Sequence, residues 1–412
     1  MQKIKSIALG FFALAIAIPS FSQNSTYSPY TRYGYGQLAE SGFGASRAMG
    51  GTSLGTRDKK QINPNNPASY SVIDSTTFLF DFGLKGEIGN FKQGAMKSTN
   101  YNGNIDYIAM QFPIAKGIGA SVGILPYSFV GYQFGDSIKP KGQTSNFAEN
   151  SYYGSGGFSQ AYLGIAGRLF NHVSLGVNLN YLFGTISHTS QTYFTGSTTA
   201  SIITNEIRVR AFKPEFGAQF FTNISKDRSI CIGLKYIPKV NLNSTAKKLV
   251  YKGDSVTLAK KFELAETYGA GLSMQLNKQW HVALDGTYQK WADAQYYSYK
   301  DTLNNRTRIS AGAEFTPNAL GRRYYERMRY RFGGYYSNNY LNVKNSNLSE
   351  FGVSAGLGLP LKKIPTQSSF LNISVEYSRM KPEYSSFLYE NYLKFTVSLT
   401  LDEFWFFKRK LE

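Results

Sequence analysis

Arg327, Arg329 and Arg331 recur at every second position, the spacing that sets three guanidinium groups on one face of a β-strand. Met328, Tyr330 and Phe332 fill the other face. On the preceding segment Arg308 and Glu314 share a polar face opposite Ile309, Ala311, Ala313 and Phe315. Guanidinium groups bind carboxylates and phosphates in bidentate fashion, so Arg308, Arg327, Arg329 and Arg331 form a candidate site for the anionic head group of a fatty acid or another amphiphile. The alternative reading is a structural network in which the same arginines pair with Glu314 or with a carboxylate such as Asp58. Glu206, Arg208 and Arg210 form a similar alternating set, expected to face the interior.

Catalysis finds little support. The three histidines, His172, His188 and His281, fall in a short turn, a long loop and a strand, and cannot converge on a metal ion. His281 and Asp285 share a face but stand two strand repeats apart, roughly 13 Å, beyond hydrogen-bond reach. The expectation is a non-enzyme with no metal and no cofactor.

The elements that must carry these side chains alternate strictly. In Val173 to Phe183 the residues Val173, Leu175, Val177, Leu179, Tyr181 and Phe183 share one face, and Ser174, Gly176, Asn178 and Asn180 the other. The pattern returns at Leu371 to Ser378 and at Leu393 to Leu401. One face suits lipid and the other tolerates water, as in a transmembrane barrel. A soluble sandwich also alternates, so the start of the chain matters. Lys3 and Lys5 precede an apolar stretch from Ile7 to Ile18, and Ser20-Phe21-Ser22 places small residues before Gln23. This predicts a signal peptide over 1–22. The stretch is too short to cross a hydrocarbon core of about 30 Å as a helix. Without a Cys at the cleavage point no lipid anchor is expected, and the single Cys231 excludes an internal disulfide.

Tyr (31), Phe (30) and Gly (40) are abundant, as interfacial girdles and curved strands require. The formal charge of +19 becomes about +17 when Lys3 and Lys5 leave with the signal. In a cytoplasmic protein that balance would suggest nucleic acid. An exported chain meets lipopolysaccharide phosphates and outer-membrane lipid instead, and no nucleic-acid partner is expected.

Alternation and turn signals together predict strands near 77–89, 103–113, 117–126, 158–169, 172–184, 203–222, 228–238, 264–276, 279–290, 306–316, 327–337, 351–361, 369–380 and 391–403. Their connections switch between short turns, as at Asn171, Asn223 to Lys226 and Asn277-Lys278, and long polar loops at 127–157, 185–202 and 239–263. Short turns belong to the periplasmic side and long loops to the outside. The expected fold is all-β: a transmembrane antiparallel β-barrel of about 14 strands over 77–404, in the outer membrane of a Gram-negative bacterium. Residues 23–76 are left over. Fourteen strands enclose more space than side chains fill, so this segment is expected to plug the lumen as an N-terminal hatch, with 405–412 as a basic C-terminal tail.

Within it, Gly44-Ala45-Ser46-Arg47-Ala48-Met49-Gly50-Gly51 is followed by Asn66-Pro67-Ala68. This ordered pair, after a signal peptide and ahead of fourteen strands, resembles the FadL-type family of outer-membrane transporters. That family carries an Ala-x-Arg-Ala-Met-Gly-Gly-like stretch and an Asn-Pro-Ala signature in its hatch. The resemblance implies a hatch or gating role for Arg47, Gly50, Gly51, Asn66, Pro67 and Ala68. It also implies a kinked third strand with a lateral opening for apolar substrates. Here Gly119, Gly123 and Pro126 fall in that strand, and Pro cannot complete a central ladder, so the kink is expected between Gly123 and Pro126. Two features depart from the family: a Tyr-rich stretch from Tyr27 to Tyr35 ahead of the motif, and a basic end after Phe404-Trp405-Phe406-Phe407.

Two functions follow. One is a transporter of hydrophobic or amphipathic, fatty-acid-like molecules. The other is a barrel that serves as a partner-binding subunit of a larger outer-membrane export or assembly complex, suggested by tyrosines in outer segments such as Tyr296, Tyr297, Tyr299, Tyr335, Tyr336 and Tyr340.

Overall fold

A computed structural model of the chain describes residues 26–40, 42–138, 148–194, 200–344, 346–361 and 369–404. The expected signal peptide at 1–22 and basic tail at 405–412 lie outside the described residues.

Fourteen antiparallel strands close into a barrel: β1 Thr77–Gln93, β2 Met96–Ala115, β3 Ile118–Ile138, β4 Ala148–Leu169, β5 Val173–Phe194, β6 Ser201–Ser225, β7 Arg228–Ile237, β8 Glu266–Gln275, β9 Trp280–Lys290, β10 Arg306–Phe315, β11 Arg329–Asn338, β12 Leu348–Pro360, β13 Phe370–Pro382 and β14 Tyr389–Phe404. Each pairs with the next. Closure comes from β14 on β1, where Tyr389 faces Lys92 and Phe404 faces Thr77. Leu175, Leu179, Phe212, Phe216, Leu234 and Leu284 project outward, exposed, while Ser174, Asn178, Glu215, Gln219 and Asp285 are buried inside. The two-residue period alone produces this split.

Several strands run further outward than the alternation predicts. β3 continues to Ile138, β4 begins at Ala148 and β5 continues to Phe194, within stretches expected to be loops. These extensions are rich in Ser, Thr, Tyr and Gly, and lack the apolar face that lipid imposes, but their backbone ladders persist. The expected loop at 239–263 is likewise structured in part. Asn243–Val250 pairs with the outer half of β6, from Asn243 with Arg210 to Val250 with Ile203, and with Ser255–Leu258.

The same extension corrects the reading of Glu206, Arg208 and Arg210. Arg208 and Arg210 are exposed, and Ile207 and Val209 between them are fully buried. At this height the outside is water and the inside is an apolar cluster, so the polar face points outward.

The N-terminal segment packs on inward-facing side chains around the barrel. The Asp285 carboxylate of β9 accepts from the backbone N–H groups of Ser53 (2.6 Å) and Leu54 (2.8 Å). Asn178 of β5 donates to the Pro64 carbonyl and accepts from the Tyr70 hydroxyl. Ser354 of β12 accepts from Gly50 N–H at 2.9 Å. Two apolar clusters hold the segment. Phe43 and Tyr70 join Leu79, Tyr107 and Tyr162 in one, with Phe43 stacked on Tyr107 at 3.6 Å. Tyr30 and Tyr35 join Phe158, Ile207, Trp291 and Tyr340 in the outer one.

Candidate functional site

Pro126 has no N–H to give a ladder, and the β3–β4 register shifts just after it. Pro126 faces Ser159 and Ser128 faces Phe158, leaving Tyr127 as an extra residue. This is a β-bulge, which bends the strand that carries it. The bulge lies just past the Gly123–Pro126 interval, and Gly123 itself sits in a regular ladder between Ala109 and Tyr162. On the other edge of β3 the ladder with β2 spans only Ile108–Ile124 to Ala115–Ile118. Beyond the bulge, Gln37–Leu38 of the N-terminal segment takes that edge instead. Gln37 faces Phe129, Leu38 faces Ser128, and Ala39 N–H donates to the Tyr127 carbonyl at 2.9 Å. The wall at this height is thus completed by the segment that fills the lumen.

Beneath the bulge lies a cavity of about 130 Å³ bordered by Ala39, Tyr127, Gln160, Lys213, Glu215 and Arg306, among others. Lys213 and Lys235 both reach Glu215, at 2.7 and 3.3 Å, and the Lys213 ammonium stands 4.9 Å from the Tyr127 ring centre. Arg306 donates to Ser337. Lys213 and Lys235 therefore share one carboxylate, Glu215, and Arg306 borders the same cavity, while Glu40, the other acid of the lining, is engaged elsewhere. It pairs with Arg47, with Lys85 (3.1 Å) and with Lys394 (2.5 Å). Burial alone would raise the Glu40 pKa, but Lys394, Lys85 and Arg47 outweigh it and hold the carboxyl well below its usual range.

Toward the outside is a vestibule of about 450 Å³ walled by Tyr33, Tyr132, Tyr152, Tyr296 and Tyr297, with Arg32 and His188. Between vestibule and cavity the chain passes through Tyr35. Its ring meets Phe158, Trp291 and Tyr296 at centroid distances of 5.8, 5.8 and 5.2 Å. Tyr340 accepts from Tyr35 N–H at 3.1 Å and donates to the Gly36 carbonyl. Tyr296 and Tyr340, read from sequence as a surface for partners, are instead turned onto the N-terminal segment, although Tyr299 and Tyr336 remain exposed. Their role was hidden from the sequence because their contacts are long-range.

The motif residues lie where wall and segment meet most closely. Arg47 is buried and pairs with Glu40 and with Asp106 of β2 at 2.8 Å. Gly50 and Gly51 have φ of +69° and +85°, a region that disfavours other residues. The Gly50 carbonyl also accepts from the Arg308 guanidinium at 3.1 Å. Asn66 starts a 3₁₀ turn over Pro67–Val72. Its side chain accepts from Ala68 N–H and donates to the carbonyls of Leu54 and Ala218, so one amide ties the turn, the segment and β6 together.

The arginine set divides. Arg329 pairs with Asp58 (2.9 Å) and Glu314 (3.5 Å). Arg331 pairs with Glu314 (2.6 Å) and donates to Asn372. Arg308 stacks on Tyr335 at 3.5 Å. Arg327 is not part of the strand: it ends the 3₁₀ turn Tyr324–Glu326 near the Tyr324 ring, because β11 begins only at Arg329. Burial alone would raise the Asp58 pKa, but the charge and hydrogen bond of Arg329 hold it at about 2.

A closed fourteen-stranded barrel whose interior is occupied by its own N-terminal segment defines a class of plugged membrane barrels. The profile of the family described as BamG matches residues 3–412, and the chain belongs to that family. No curated protein matches it. Among solved structures it is similar to the toluene transporter TbuX of Ralstonia pickettii, with 13% identity over 88% of this chain and 98% of that one, at a TM-score of 0.60. A FadL homologue of Pseudomonas aeruginosa gives 11% identity over 89% and 99%, at 0.59. The toluene transporter TodX of Pseudomonas putida gives 14% over 89% and 99%, at 0.56. At such identities the likeness is one of fold: the barrel has the architecture of FadL-type transport proteins.

Proposed function

We propose that the protein is an outer-membrane transporter that admits amphipathic small molecules, apolar in body and anionic at one end. The cargo collects against the tyrosines of the vestibule, passes Tyr35, and sets its head group beside Lys213, Lys235 and Arg306. It leaves sideways between β2 and β3 when Gln37–Leu38 releases the β3 edge. The observation that carries this reading is the bulge at Tyr127, where the β2–β3 ladder has ended and the plug itself completes the wall. The vestibule volume falls in the range of about 300–1,000 Å³ typical of small-molecule sites. In this reading the motif at Gly50-Gly51 and Asn66-Pro67-Ala68 anchors the fixed part of the plug, and the basic outer segments meet lipopolysaccharide.

One observation favours the second reading, a barrel that works as a subunit of an outer-membrane assembly. The cavity beneath the bulge, about 130 Å³, is below the usual size of a ligand site. Native mass spectrometry of the protein extracted from its own membrane separates the two. A monomer retaining a small lipid or hydrocarbon supports transport, and a stable assembly with other polypeptides supports the subunit reading. Within the transport reading, Asn66→Ala should abolish uptake while the barrel keeps its heat-resistant gel migration. Normal uptake in that variant would remove the gating role of the motif.

A further inference from the structure

The short-turn end of the barrel carries a second, separate surface. Asn223–Ser229, Gln275–Gln279 and Pro317–Leu320 surround a groove of about 820 Å³. Its cations are Lys226, Arg228 and Lys278, and its one carboxylate is Asp227, 3.7 Å from Lys278. Its apolar wall is Pro317, Ala319 and Leu320, with Leu320 74% exposed. The turns are well tied: Asn277 accepts from the N–H groups of Gln279 and Trp280, and the Gln279 side chain donates to the Pro317 carbonyl at 2.8 Å. Arg322, Arg323, Tyr324 and Tyr325 continue the surface along the same connection, all exposed.

The depth of the groove is set by its neighbours. Trp280, Phe315 and Tyr330 form an aromatic cluster on the barrel wall, with Trp280 and Phe315 centroids 4.7 Å apart. Such aromatics mark the membrane–water interface. The groove lies past them, at the turns, on the aqueous side. A lipid tail cannot fill a groove in water, whereas a chain with acidic residues beside apolar ones complements three cations and an exposed leucine wall. Arg and Tyr at the rim are residue types enriched where protein contacts carry energy.

We infer that this groove docks an extended segment of a periplasmic protein in which acidic and apolar side chains alternate. The inference rests on the short-turn end facing the periplasm and is independent of what the barrel transports. A fluorescein-labelled peptide of alternating Asp and Leu, titrated against the full protein in nanodiscs and followed by anisotropy, tests it. Saturable binding is expected, weakened about tenfold or more by combined K226E, R228E and K278E substitutions and several-fold by L320S, and reduced by salt as Debye screening requires. A Lys–Leu peptide should not bind. Equal binding of both peptides, equal affinity in the variants, or full displacement by phosphatidylglycerol vesicles would overturn the proposal. Orientation is checked separately. A K278C thiol labelled by an impermeant maleimide on intact cells would place the groove outside and also overturn it, while leaving the site at Tyr127 untouched.

Discussion

The phenol of Tyr35, in the plug, donates to the carbonyl oxygen of Glu263, in an outer connection, at 3.0 Å. A residue ahead of every strand thus fastens a loop that follows the seventh. Tyr35 is fully buried and stands between vestibule and cavity. Tyr35→Phe removes one hydrogen bond, about 1 kcal/mol, while Tyr35→Ala removes an aromatic core, about 3–5 kcal/mol. Trp291, buried against the Tyr35 ring, reports the difference. In a W280F/W405F background, acrylamide should quench Trp291 strongly in the Ala variant and weakly in the Phe variant. Equal quenching in wild type and Tyr35→Ala would show that the ring seals nothing.

Leu38 and Ser128 are cross-strand partners, and such pairs have Cα atoms about 4.5–5.5 Å apart, within disulfide range. L38C/S128C should therefore close spontaneously under oxidation, and the sole native thiol, Cys231, is buried. Uptake should stop when the pair is oxidised and return with dithiothreitol. Unchanged uptake in the oxidised protein would mean that Gln37–Leu38 does not move during transport.

Asp58 joins the plug to Arg329. Its pKa is lowered from 3.8 to about 2, so the contribution of this pair is fully present above pH 3.8 and disappears as pH falls through about 2. Removing one partner of a buried pair costs up to about 3–5 kcal/mol, less here because Asp58 is 28% exposed. Asp58→Asn should accelerate hydrogen exchange at 53–63 at neutral pH, and the gap from wild type should narrow toward pH 2. A gap that is constant with pH would assign the effect to packing instead of charge.

Lipid made much of the barrel legible. Where a strand crosses hydrocarbon, as from Val173 to Phe183, one face must be apolar, and the period of two appears directly. Strand number follows from it, whereas connection length alternates only in part: 94–95 joins β1 to β2 on the side of the long loops, and 316–328 joins β10 to β11 on the other. Above the membrane that constraint ends, which is why the outer parts of β3, β4 and β5 read as loops and why the alternation at Arg208 and Arg210 reads as inward-facing when it points outward. Pro126 signalled an interruption because a missing N–H is a local property. The packing around Tyr35 and the carboxylate shared by Lys213 and Lys235 depend on residues brought together only by closure, and no local pattern marks them. Arg327 shows the same limit: its spacing matched a strand, but the strand began two residues later.

The ladder between β14 and β1 joins residues at the two ends of the barrel, Thr77–Lys92 with Tyr389–Phe404. The contacts that shut the cylinder are therefore among the most distant in sequence, and such contacts form slowly. The plug is synthesised before any strand, yet it is enclosed by all of them. Once the seam has zipped, residues 26–76 would have to be threaded through a finished ring to reach their partners. Closing the wall around a plug already in place avoids that threading, and Asp285, Asn178 and Ser354 are the inward-facing groups such a plug would meet as the strands come together.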